Sequence, residues 1–239
     1  WVGACGVFHP MLTEAVVRFQ AQAISEIFPA AGPVKTEIIG EMTDEKTKQA
    51  HRVQNYMNYL LTTKMVEYRN ETEKLLWSLP LAGSAFRKVY YDVNMGRPCS
   101  MFVPAEDFIV SYGTSDLITC DRSTHVMKKT ENEVRKMQVK GFYRDVELPS
   151  PSPEIDEIVK KYNELTGDSE NYDSDTRHTL LEMQVNLDLP GYEEKNEAGE
   201  DTGVALPYIV TLDLSSKTIL SIYRNWYEDD EDTMPRQHF

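Results

Sequence analysis

Cysteine is scarce in this chain of 239 residues: Cys5, Cys99 and Cys120 are the only three, odd in number and widely spaced. That excludes a disulfide framework as the organising device and points to a reducing compartment. No apolar run approaches the roughly 20 residues that a membrane-spanning helix needs. The opening WVGACGVFHPML is too short and too uncharged at its start for a secretory leader. Asn70-Glu71-Thr72 fits the glycosylation pattern but lies on a predicted helix in a chain with no secretory signal, so it is not expected to be glycosylated. Nor is there a phosphate-cradling GxGxxG, a Walker lysine loop, a GxSxG elbow, a C-x-x-C or an H-E-x-x-H. Nucleotide hydrolysis, serine-hydrolase chemistry and a dedicated zinc centre therefore have no support in the sequence, and no cofactor is expected.

Basic residues are also in short supply, 25 Lys and Arg against 39 Asp and Glu, for a net charge of −14. The imbalance is uneven: 12 basic and 14 acidic residues lie up to residue 125, and 13 and 25 after it. The second half should be strongly solvated and a poor nucleic-acid surface. Five histidines, His9, His51, His125, His178 and His238, stand far from one another and from any ligand-spaced partner. His125 is the best placed, on an expected strand, and is read as a packed or hydrogen-bonded side chain. Asp173-Ser174-Asp175 and the run Glu228 to Asp232 offer clustered oxygens to a divalent cation but lack the turn glycine of a dedicated site. They are read as solvated.

Periodicity supplies the architecture. Leu12, Val16, Phe19, Ala23 and Ile27 predict one face of a helix between Pro10 and Pro29. A short strand, Val34 to Ile39, is expected to follow and to end at Gly40. Thr43 is an N-cap candidate, with Asp44 and Glu45 in the first turn where the helix dipole favours negative charge. From there Ala50, Val53, Met57, Leu60, Leu61, Tyr68, Thr72, Leu75, Leu76 and Leu79 recur at steps of three and four. They predict a long helical stretch with a kink or break at Thr62-Thr63 and an end at Pro80. Leu79 to Gly83 should then be a hinge into a hairpin: Ala85 to Tyr91, turn chemistry from Asp92 to Pro98, and Ser100 to Val103.

Ser111 to Asp116 reads as a loop and Asp121 to Lys128 as a strand. Thr130-Glu131-Asn132-Glu133 is a capping box opening a helix that turns Val134 and Met137 inward and stops at Gly141. After the linker Leu148 to Glu154, the residues Ile155, Ile158, Val159, Tyr162 and Leu165 predict a helix closed by Gly167, and the polar stretch Asp168 to Arg177 a loop. Leu181, Met183, Val185, Leu187 and Leu189 alternate with polar residues, a strand with one face buried and one wet. An acidic hairpin loop from Gly191 to Gly203 leads to strands Val204 to Leu212 and Thr218 to Trp226. Three consecutive strands imply an antiparallel meander. The fold class is therefore α+β, with helices packed on antiparallel sheets. Its subdivision is expected at residues 1–147 and 148–239.

The aromatics at strand positions, Tyr90, Tyr91, Phe102, Phe108, Tyr208, Tyr223 and Trp226, are expected to pack across strands, because the basic residues that accompany base-stacking platforms are sparse. Arg87, Lys88 and Arg97 give the first hairpin a small basic end. They are the candidate contacts to DNA or to an acidic surface of a neighbouring subunit, against a plain solvated tip.

A series of segments also resembles one known family. It comprises PVKTEIIG (Pro33 to Gly40), TDEK followed by YMNYLL (Tyr56 to Leu61), LPLAGSAFRKVYYD (Leu79 to Asp92), GRP (Gly96 to Pro98) and VPAEDFIV (Val103 to Val110). Downstream lie THVMK (Thr124 to Lys128), GFYRDV (Gly141 to Val146) and PYIVTLDLSSKTILSIYRNW (Pro207 to Trp226). In that order they resemble the portal proteins of short-tailed, podovirus-type bacteriophages over most of the chain. The resemblance implies a wing-region fragment of a longer subunit, since nothing here resembles the family's stem, clip or crown. It implies a homododecameric ring at the capsid vertex of the virion, assembled in the host cytoplasm. Such a ring passes viral double-stranded DNA in packaging and ejection and docks terminase, capsid and tail adaptor proteins. It implies no catalysis, no cofactor and no membrane. Two other classes remain open: another head–tail adaptor module, and an acidic metal-dependent hydrolase, which would need converging carboxylates and a bound ion.

Overall fold

The computed structural model describes residues 10–92, 95–150, 161, 177–195 and 199–226. All but Lys161 of the helix expected from Ile155 to Leu165, all but Arg177 of the polar loop from Asp168, the acidic run from Glu228, and His9 and His238 lie outside them. Helices and antiparallel sheets make up an α+β protein, in two compact units that divide between Ala105 and Glu106. The expected subdivision at 147/148 falls within the second unit.

In the first unit, α1 (Met11–Ile27), α2 (Asp44–Tyr59) and α3 (Glu67–Ala82) precede a hairpin of β1 (Ala85–Asp92) and β2 (Arg97–Pro104). Thr43 caps α2 as its sequence suggests, its hydroxyl accepting from the Lys46 N–H at 3.3 Å. The break near Thr62-Thr63 is a π-helical turn, Leu60–Lys64, in which the Met65 N–H reaches back five residues to the Leu60 carbonyl at 2.8 Å. The Thr62 hydroxyl donates to the Asn58 carbonyl at 2.7 Å, the back-bonding that bends helices. Met65, buried at this joint, ties it to the core.

Three expectations for this unit are corrected. Val34 to Ile39 forms no strand and joins no sheet among the described residues. The Asn58 amide takes the place of a strand partner, accepting from Val34 N–H at 2.8 Å and donating to the Val34 carbonyl at 3.2 Å. The Thr36 hydroxyl similarly bonds the Ala50 carbonyl at 3.2 Å. Pro80 does not end α3, which runs on to Ala82. So close to the C-terminus proline forfeits a single backbone bond, and its fixed φ is itself helical. On α1 only Val16 of the predicted stripe is buried; Leu12, Phe19 and Ile27 are exposed, as is Val53 on α2. Three- and four-residue spacing identifies a face without saying how much of it a small unit can cover.

Gly83 stops α3, in the left-handed region at φ 75° and ψ −20°, its N–H donating to the Leu79 carbonyl at 2.9 Å. No atom lies within 4 Å of where a Cβ would stand, so conformation alone demands glycine. Gly83→Val is expected to cost about 1–2 kcal/mol and Gly83→Asn less, since asparagine tolerates this region. Chemical denaturation of the two variants checks the order.

The second unit is a five-stranded antiparallel sheet in the sequential order β3 (Phe108–Val110), β4 (Arg122–Lys129), β5 (His178–Leu187), β6 (Leu206–Asp213) and β7 (Ile219–Arg224). The expected meander is its last three strands. Helix α4 (Glu131–Val139) begins with the full capping box: Glu133 N–H donates to the Thr130 hydroxyl at 3.3 Å, and Thr130 N–H to the Glu133 carboxylate at 2.9 Å. Glu133 is held below the usual carboxylate range, chiefly by that N–H of Thr130. Past α4, Gly141 is left-handed at φ 74°.

The register corrects the reading of β5 as half wet. Met183, Val185 and Leu187 do lie on one face, against Leu206, Tyr208, Val210 and Trp226. The opposite face, however, carries Leu180 at 0% exposure, packed with Leu220, Val134 of α4 and Tyr143. Around Leu180 the sheet is thus apolar on both faces, where Val134 of α4 packs, while Glu182, Gln184 and Asn186 continue the polar side that alternation assigned further along the strand. Tyr208 of β6 meets Trp226, just past β7, edge to face at 5.3 Å, and Tyr223 of β7 stacks on Phe142, past α4, at 5.0 Å, so each of these strand tyrosines packs on an aromatic outside the strands.

Candidate functional site

Arg87 and Lys88 are neighbours on β1, so their side chains leave opposite faces of the hairpin. Arg87 lies over the Tyr68 ring at 4.7 Å and donates to the Thr72 hydroxyl at 2.5 Å. Thr72 in turn donates to the Tyr68 carbonyl at 2.6 Å, so the guanidinium is fastened to one turn of α3. Lys88 is buried, its ammonium 5.5 Å from the Tyr90 ring centroid. Arg97 opens β2 opposite Asp92 and bonds Glu67 of α3 at 2.7 Å. The bond from Arg97 is the largest influence on Glu67 and holds its carboxyl below the usual range. The Phe102 N–H of β2 also donates to Glu71 of α3, at 2.7 Å. The structure thus distributes the three basic residues along the hairpin, two of them against α3, rather than gathering them at its tip. Cation–π and charge-assisted contacts of this kind hold a ribbon on a helix.

A second cluster escaped the sequence. Asp213, at the end of β6, is 0% exposed, and one carboxylate oxygen accepts three hydrogen bonds. Its Oδ2 receives the Ser215 hydroxyl at 2.6 Å, the Ser216 hydroxyl at 2.7 Å and the Ser216 N–H at 2.8 Å. The residues between β6 and β7 form a tight corner closed by Asp213 N–H on the Thr218 carbonyl at 3.0 Å, with Lys217 left-handed at φ 54°. Burial pushes the Asp213 carboxyl up, but Ser215, Ser216 and His178 outweigh it and hold it below the ordinary range. His178, the first residue of β5 and 3% exposed, places Nδ1 3.7 Å from the other oxygen, Oδ1. Among the five histidines His178 had no partner within ligand spacing, because Asp213 lies 35 positions away in sequence. The available signal was Asp-x-Ser-Ser in a hairpin turn, the composition of a side-chain-capped turn. His125 is buried on β4, as a packed histidine would be.

Both serine hydroxyls are donors to an ionised carboxylate, an arrangement that fixes a turn. Among the described residues no three His, Cys, Asp or Glu side chains converge as a metal ion would require. Asp173, Asp175 and the Glu228 to Asp232 run are outside them. No described helix is long and apolar enough to cross a membrane. What these features define is an α+β scaffold with side-chain fasteners at its helix–hairpin and strand–turn joints. No protein-family model matches the chain, and no curated protein matches it.

Proposed function

We propose that the chain is a wing-region part of a bacteriophage portal subunit, a structural component of the ring through which viral DNA is packaged and ejected. The observation that carries this reading is the ordered motif series, and where its members fall supports it. LPLAGSAFRKVYYD covers the joint of α3 and β1, including Gly83 and Arg87. GFYRDV contains Tyr143, buried against Leu180 and Leu220, and Arg144, whose N–H bonds the Leu220 carbonyl at 2.8 Å. PYIVTLDLSSKTILSIYRNW spans β6, the Asp213 corner and β7. The segments that resemble portals are thus ones on which this fold depends.

The reading makes the chain a non-catalytic piece of a longer subunit. That subunit assembles as a dodecamer at the capsid vertex and meets terminase, capsid and tail adaptor proteins. A net charge of −14 suits a conduit, because strong phosphate contacts would arrest a moving duplex. Arg87, Lys88 and Arg97 remain candidates for a passing DNA or subunit contact in that assembly. Negative-stain electron microscopy of the protein from the complete reading frame tests the proposal. A twelve-fold ring with a central hole is expected; a monodisperse monomer or dimer would overturn it.

A further inference from the structure

The contact between His178 and Asp213 is a polar junction left open inside a closed core. Among the described residues neither His178 Nδ1 nor Asp213 Oδ1 has a hydrogen-bond partner, although both atoms are buried and face each other at 3.7 Å. Unsatisfied polar atoms this deep are costly, and two facing each other just beyond bonding range point to a bond that forms in one protonation state. The carboxylate cannot supply the hydrogen while it is ionised. Its other oxygen is already fixed by three donors, so the group does not rotate away.

We propose that His178 and Asp213 form a proton-operated latch between the start of β5 and the corner joining β6 to β7. With a neutral imidazole whose proton sits on Nε2, two acceptors face each other and the latch is open. A proton taken from solvent makes Nδ1–H a cationic donor, and the contact contracts to a charge-assisted bond of about 2.7–2.9 Å. Acid then tightens the corner, and neutral or alkaline conditions loosen it.

The surrounding charges suit such a latch. Across from His178 in the register stands Lys129 of β4, whose charge opposes a second cation. Lys129 is drawn toward Glu133 of α4, its Nζ 3.7 Å from that carboxylate, and among the described residues Asp213 is the anion that stands 3.7 Å from the imidazole. Arg177 precedes His178, Glu182 is two alternations further along the same face of β5, and Lys217 lies in the corner itself, exposed. Leu214 N–H of the corner already bonds the Thr179 carbonyl at 2.9 Å, so the backbone is positioned for the side chains to close.

The test compares melting temperatures of the whole chain and of its His178→Asn variant between about pH 8 and pH 5.5, the interval over which imidazoles change charge. The unaltered chain should gain several degrees relative to the variant on acidification. Parallel curves would overturn the latch. Nitrogen-15 spectra of the His178 ring in the unaltered chain decide the matter should the variant fail to fold. A doubly protonated ring with a slowly exchanging Nδ1–H at the acid end supports the proposal, and a ring that stays neutral there refutes it.

Discussion

Asp213→Ala is expected to lower the unfolding free energy by about 2–4 kcal/mol, far more than its place in a surface turn would suggest. The substitution removes a fully buried anion and strands three donors: the Ser215 hydroxyl and the N–H and hydroxyl of Ser216. The serines partly reach water, which tempers the loss. Ser215→Ala, which deletes one donor and leaves the acceptor satisfied twice over, should cost only about 1 kcal/mol. Asp213→Asn keeps the shape but not the charge and should fall between. The pH dependence follows from the depressed carboxyl of the folded state. Its contribution is present above the carboxylate value of the unfolded chain and is lost as pH falls through the lower folded value. Urea titrations at neutral pH and at successively more acid pH read both effects. Equal losses for Asp213→Ala and Ser215→Ala would show that the carboxylate anchors nothing.

That anchor marks where sequence reasoning stops. Signals that act within one turn of chain were legible: the Thr43 cap, the Thr130–Glu133 box and the left-handed glycine stop at Gly141. So were element types with strong periods, including the antiparallel β5–β6–β7 run. The errors arose where the deciding partner sits far away in sequence. Val34 to Ile39 has strand composition, but what it bonds is the side chain of Asn58, 24 residues on. Arg87, Lys88 and Arg97 read as one basic end because they cluster in sequence. Strand alternation sends the first two to opposite faces, and aromatic and acidic residues of α3 claim Arg87 and Arg97. His178 and Asp213 each looked ordinary because neither position predicts the register that joins them.

The largest loss should come from Leu180→Ala, about 3–5 kcal/mol, and it separates the two readings of β5. If one face of that strand were wet, Leu181 would be the core residue and Leu180 an incidental neighbour. The register instead sets Leu180 between Met127 of β4 and Asp213 of β6, on the face that α4 covers. There it is 0% exposed among Val134, Tyr143 and Leu220, with Met127 and Met137 beside them. Truncating it opens a cavity walled by a helix, a buried tyrosine and three strands, which cannot collapse without moving the sheet. Leu181 pairs with Val126 and Leu212 on the other face and is only half-buried, so Leu181→Ala should cost about 1–2 kcal/mol. Urea unfolding of the two variants gives the ratio directly. A Leu181 variant as damaged as the Leu180 variant would restore the one-sided strand and detach α4 from the core.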